Sequence, residues 1–143
     1  MVETALMILV VLLLLMGIIE FGFIFYAYVR VSNGAREGAR AGSLWLRRRE
    51  PNLCATVSRA VQSEFGAVQV DDITLELVDN TTITLQGDPV ECNPEPVDPE
   101  MGQPITVTVA YDFELPVVTA LPIIRDIIQS PFPVSRSVVM RFQ

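Results

Sequence analysis

The sequence predicts an α+β protein: a long N-terminal helix, apolar in its first half, then a short helix and an antiparallel sheet of about four strands. Three observations predict it. No proline occurs before Pro51, so nothing in the first third of the chain breaks a helix. From Ala5 to Ile19 no charged or strongly polar residue appears, and Glu20 is the single interruption before Val29. From Ile73 onward the hydrophobic period becomes two, the signature of half-buried strands.

Residues 2–49 are expected to form one continuous helix, about 70 Å long at about 1.5 Å per residue. Its apolar stretch of about 25 residues exceeds the roughly 20 needed to cross a bilayer. It does not resemble a secretory signal. It has no basic n-region, the apolar run is too long, and no small-x-small cleavage site follows promptly. Its orientation is contested. Arg30, Arg36 and Arg40 follow the span, which by the positive-inside rule puts the C-terminal side in the cytoplasm. The cysteines argue the opposite, and a basic leader before Met1 would reconcile the two.

The second half of this helix carries Gly34, Gly38 and Gly42 at intervals of four, with Ala35 and Ala39 beside them. Such a small-xxx-small ridge permits close approach of helices. Each glycine costs roughly 1 kcal/mol in a helix, so three in register imply a packing need, expected here between subunits. The alternative is a flexible glycine-rich linker; Arg36, Glu37 and Arg40 favour the helix. Arg47, Arg48 and Arg49 sit at the expected helix end, where cations complement the macrodipole, as a solvated terminus rather than a nucleic-acid or lipid clamp.

Pro51 is expected to start a second helix that stops at Gly66. Leu53, Val57, Val61 and Phe65 form its apolar stripe, with Cys54 alongside. "ITLELV" and "TTITLQ" flank Asp79-Asn80 as a hairpin. Residues 87–103 are an acidic, proline-rich loop. In "PITVTVAYDFEL", residues Ile105, Val107, Val109, Tyr111, Phe113 and Leu115 face one way. "VVTALPIIRDIIQS" suits a short amphipathic helix around Pro122, and "VSRSVVMRF" a last strand. The expected division is a transmembrane or filament-core helix, residues 1–50, and a globular extracellular domain, residues 51–143.

Charge and composition narrow the function. Residues 1–50 hold six arginines against four acids, and residues 51–143 four against thirteen. No basic patch with interleaved aromatics supports nucleic-acid binding. There is no histidine, so imidazole catalysis and most zinc sites are excluded. No catalytic, cofactor-binding or metal site is expected. The glycine-rich "NGAREGARAG" lacks the setting of a phosphate loop. Asp88, Glu91, Glu95, Asp98 and Glu100 supply oxygen ligands, but their spacing matches no calcium loop and Pro89, Pro94, Pro96 and Pro99 stiffen it; a solvated loop is the simpler account. Asn80 opens a glycosylation tripeptide on the expected turn. Cys54 and Cys92, outside any CxxC spacing, suit one disulfide in an oxidising compartment; the alternative is two unrelated buried thiols. Glu20, at membrane depth, is costly there and calls for a partner from another chain, or else snorkels or stays protonated.

The N-terminal stretch "MVETALMILVVLLLLMGIIEFGFIFYAYVRVSNGAREGARAG" resembles TadE-like pilins and pseudopilins of the tight-adherence (Flp) branch of type IV pili. The matching pieces are Glu3 before the aliphatic run, "GIIEFG" and "NGAREGARAG". "ITVTVAYDFELP" and "SRSVVMRF" are similar to that family's C-terminal strands. The resemblance implies a pilin-like fold and a leader removed by a prepilin peptidase, with a glutamate fifth in the mature chain. The first acid here is Glu3, two places from that pattern, and the proline often found in the family's aliphatic run is missing between Thr4 and Arg30.

The implied function is a structural pilus subunit with no enzymatic activity. It waits in the inner membrane as a single-pass protein, then polymerises with copies of itself through the pilus assembly machinery into an adhesive extracellular filament. Glu3, Glu20, Gly34, Gly38 and Gly42 are the expected subunit-packing residues, with Arg30 and Arg36 as inter-subunit cations. The alternatives are a minor pseudopilin that primes or tips the pilus, and a monomeric membrane-anchored protein with a ligand-binding outer domain.

Overall fold

A computed structural model describes residues 2–66, 70, 72–77, 81–85, 92, 99–115 and 131–143. Helix α1 spans Val2–Ser43, α2 Trp45–Arg48 and α3 Leu53–Phe65; the strands are β1 Asp72–Glu76, β2 Thr82–Leu85, β3 Pro104–Phe113 and β4 Phe132–Arg141. This is the α+β arrangement the sequence predicts.

The single helix expected over residues 2–49 is interrupted at Leu44, whose backbone (φ −93°, ψ −2°) stays in the right-handed region but departs from regular helix values. The break has a tertiary setting. The Ser43 carbonyl accepts the amide of Gln143 at 2.8 Å, tying the top of α1 to the end of the sheet. The Ser43 hydroxyl donates back to the Arg40 carbonyl at 2.9 Å, a local bond that competes with the helical ladder. One further turn, α2, ends at Arg49 in the left-handed region (φ 55°), the only described non-glycine residue with positive φ. Pro51 then bars continuation.

Helix α3 starts two residues later than the proline suggested. Asn52 is its cap, its side-chain oxygen accepting the Ala55 amide at 3.0 Å, so Pro51 stands outside the helix. Gly66 (φ 64°) closes it by donating its amide to the Gln62 carbonyl. The predicted stripe of Leu53, Val57, Val61 and Phe65 is buried throughout.

The sheet is antiparallel in the order β2-β1-β3-β4. Ile73 lies opposite Leu85 and Val109, and Val107 opposite Leu75 and Val138. With a side-chain period of two, this register sends one apolar set inward from every strand. Ile73, Leu75, Ile83, Ile105, Val107 and Val109 are buried under the helices. The other face bears hydroxyls, among them Thr108 and Ser137, whose oxygens lie 2.8 Å apart. The Asp79-Asn80 turn with its glycosylation tripeptide, most of the acidic loop and the segment around Pro122 lie outside the described residues.

Candidate assembly surface and its junction with the domain

Helix α1 has two environments. From Val2 to Tyr26 no residue is buried, and the most apolar stretch of the helix has no buried member. Leu6, Leu14, Ile18, Phe21 and Phe25 are each at least 60% exposed. Ala27 is the first buried residue; Val31, Ala35 and Ala39 are fully so, within the same core as α3 and the sheet. A bare apolar rod therefore projects about 40 Å from the domain, the length of some 25 helical residues.

The glycine ridge faces the domain. A β-carbon built on Gly34 would stand 2.8 Å from Phe65 Cε2, one on Gly38 2.6 Å from Val61 Cγ2, and one on Gly42 2.7 Å from Ile105 Cδ1. All three glycines are buried. The ridge, expected to meet neighbouring subunits, is occupied within this chain by α3 and β3. The close approach it permits within the chain is to α3 and β3. On the bare half the helical glycines are Gly17 and Gly22, where an added β-carbon meets nothing within 4 Å. Sequence spacing pointed away from them because they are five apart and form no ridge.

The junction is pinned by Arg30. Its Nε and Nη2 donate to the Glu64 carbonyl at 3.1 and 2.9 Å, completing the C-terminal turn of α3. Its guanidinium also lies 5.4 Å from the Tyr26 ring centre and 5.5 Å from that of Phe65, within cation–π range. Phe65 in turn tilts against Tyr111 at 5.8 Å between ring centres. Arg30, expected to reach a neighbour, is thus committed within its own chain. Arg36 is exposed. Arg40 pairs with Glu37 one turn earlier. Glu3 is exposed near the start of α1; Glu20 is half-buried and has an interaction within the chain.

At the far end of α3, Cys54 and Cys92 form a disulfide with Cα atoms 5.5 Å apart, closing a separation of 38 residues. Of the acidic-loop carboxylates only Glu100 falls among the described residues, and it is exposed.

Residues 1–40 match the family model described as TadE-like protein. The match confirms the resemblance seen in the N-terminal residues. It covers the bare rod and most of the glycine ridge, and stops short of α3 and the sheet. No curated protein and no solved structure gives a match. The TadE-like segment and its apolar helix together fit a membrane-anchored protein related to the Tad pilus.

Proposed function

We propose that the chain is a structural subunit of an extracellular, helically assembled Tad/Flp-type pilus, polymerising through residues 2–26 of α1. The observation that carries this reading is the apolar rod with no buried residue. Burying one such aliphatic side chain is worth about 1.5–3 kcal/mol, so a bare stretch this long requires lipid or other helices around it. A rigid rod joined to a disulfide-bonded domain can serve both states without refolding. The bilayer surrounds it first, and copies of the same rod replace the lipid on assembly.

Glu3 and Glu20 are the charged residues of the rod, and on this reading they set its register against neighbours. A charge in an apolar bundle is tolerated only in defined company. With Arg30 held by Glu64, the neighbouring cation for Glu20 is Arg36 or a chain start. Gly17 and Gly22 add two notches where a neighbour's large side chain can seat. The partners are copies of the chain, the inner membrane before assembly, a prepilin peptidase and the assembly machinery; the role is structural.

Shearing cells and imaging the released material tests this. The chain should be abundant in the sheared fraction, as filaments whose core is a bundle of α1 rods. Recovery only from the membrane fraction, as a monomer, would sink the reading and leave a membrane-anchored binding domain in its place.

A further inference from the structure

The domain is electrically polar along α1, among the described residues. Helix α3 runs antiparallel to the upper half of α1: Phe65 lies at Gly34, and Val57 at Gly38 and Gly42. Strand β3 descends the same way, with Ile105 at Gly42, Val107 at Gly38 and Tyr111 against Phe65. The end far from the rod therefore carries Arg47, Arg48 and Arg49 on and beside α2, and Arg141, which lies opposite Pro104. Glu50, Glu100 and Glu76, opposite Thr106, also lie there, so the tip's excess of basic charge is carried by the arginine corner. The end next to the rod carries Glu64 at the foot of α3 and Asp112 and Glu114 at the foot of β3. Its one cation is Arg30, tied to the Glu64 carbonyl. Arg59, Arg136 and Asp72, the last one row from Arg136, lie between the two ends.

Arg47, Arg48, Arg49, Glu64 and Glu114 are all exposed. The left-handed backbone at Arg49 and the proline after Glu50 turn the chain back beneath this basic corner, so it forms the tip of the domain. The aliphatic rod imposes no direction along its own axis apart from its few polar points. The two ends of the domain do impose one.

We propose that these ends form a heterologous contact in the filament: the arginine tip of one copy docks on the acidic foot of the copy displaced along α1. The occupant of each end is thus a second copy of this chain. A head-to-tail contact of this kind propagates without closing, which is what a filament requires. Copies displaced along parallel rods bring a tip to a foot without bending either helix. Opposite charge favours this polarity and disfavours tip-to-tip or foot-to-foot approach, the ordinary contribution of surface charge to register and specificity.

This inference rests on the filament reading, and the experiment separates the two. Filament yield is compared for the wild type, Glu64→Arg with Glu114→Arg, Arg47→Glu with Arg48→Glu, and the four substitutions together. Each charge-reversed pair should lower yield roughly tenfold, as opposed ion pairs become like-charged, and the fourfold variant should recover to within about twofold. Thermal unfolding of each purified variant in detergent shows that the domain still folds. Wild-type filaments should also loosen as salt rises from about 0.05 to 0.5 M, where screening shortens to a few ångströms. Absence of wild-type filaments overturns both readings. Normal wild-type filaments with unchanged yield in the reversed pairs, or no recovery in the fourfold variant, overturn the tip-to-foot contact alone. If a reversed pair fails to fold, the salt series decides: filaments indifferent to salt overturn it.

Discussion

The two halves of α1 share a backbone and differ in nearly everything else. From Val2 to Tyr26 the side chains are large, mostly aliphatic or aromatic, and exposed. From Ala27 to Ser43 nine residues are buried, seven of them glycine or alanine. In the lower half, side-chain bulk keeps neighbours at ordinary helix-packing distance while offering them a large apolar area. In the upper half, the lack of bulk lets α3 and β3 come close. A run of small residues in a helix says that something approaches closely; it does not say whether that is the chain's own sheet or another chain. On the proposed function the bare half is where lipid and then other chains act, although its sequence carries no packing motif.

The comparison breaks most sharply at Gly38. Its missing β-carbon already lies 2.6 Å from Val61 and 3.3 Å from Val107, so Gly38→Leu has nowhere to put four carbons. Overpacking of this kind costs about 3 kcal/mol or more, a large part of a typical domain's 5–15 kcal/mol. Urea unfolding of the detergent-solubilised chain should show the loss directly. A wild-type midpoint would return the ridge to the role of a subunit contact.

Of comparable size is the effect of the disulfide between Cys54 and Cys92. A closed loop of 38 residues corresponds to roughly 4 kcal/mol in the chain-entropy account. Cys92→Ser should lower domain stability by about that amount and leave the rod's insertion in membranes unchanged. Intact mass before and after alkylation, without reductant, checks the bridge itself. Uptake of two alkyl groups by the unreduced protein contradicts it.

Most of the fold was legible in the sequence because its signals are local. The period-two runs gave β1 to β4, the stripe from Leu53 to Phe65 gave α3, and the lack of proline gave α1. The miss at Leu44 arose from a bond between Ser43 and Gln143, residues a hundred positions apart, which no local pattern carries. The start of α3 was missed because Pro51 and Asn52 both signal a helix start, and the capping oxygen of Asn52 prevails. The candidate site was less legible. Arg30 looked like a cation available to a neighbour, and only the fold brings the foot of α3 beside it. Gly17 and Gly22 lacked a period and so drew no attention.

The joint between the halves should respond more gently. Arg30→Ala removes two hydrogen bonds to the Glu64 carbonyl and two ring contacts. At a partly exposed site these amount to about 2 kcal/mol together. Hydrogen exchange should quicken in the last turn of α3 before it quickens elsewhere. Arg30→Lys should restore charge but not the paired donors, and recover only part of the protection. Uniform protection in Arg30→Ala would mean that Phe65 and Val61 hold the joint without it.

The smallest effect on the domain, and the most specific to assembly, is expected at Glu20. It lies seven residues before the first buried position of α1, on the bare rod, so Glu20→Gln should move domain stability by no more than about 0.5 kcal/mol. An acidic residue at mid-bilayer depth costs about 3 kcal/mol on insertion scales, and glutamine keeps the shape while removing the charge. Membrane insertion should therefore proceed at least as well as in the wild type. Filament yield or straightness should fall if the carboxylate meets a cation of another copy, because the variant loses the charge that fixes register. Glu20→Asp, which keeps the charge one methylene shorter, should fall between the two. A filament map gives the geometry: a neighbouring cation within about 4 Å of the Glu20 carboxylate supports the pairing. Equal yields for Glu20→Gln and the wild type would assign register to the packing of the aliphatic side chains alone.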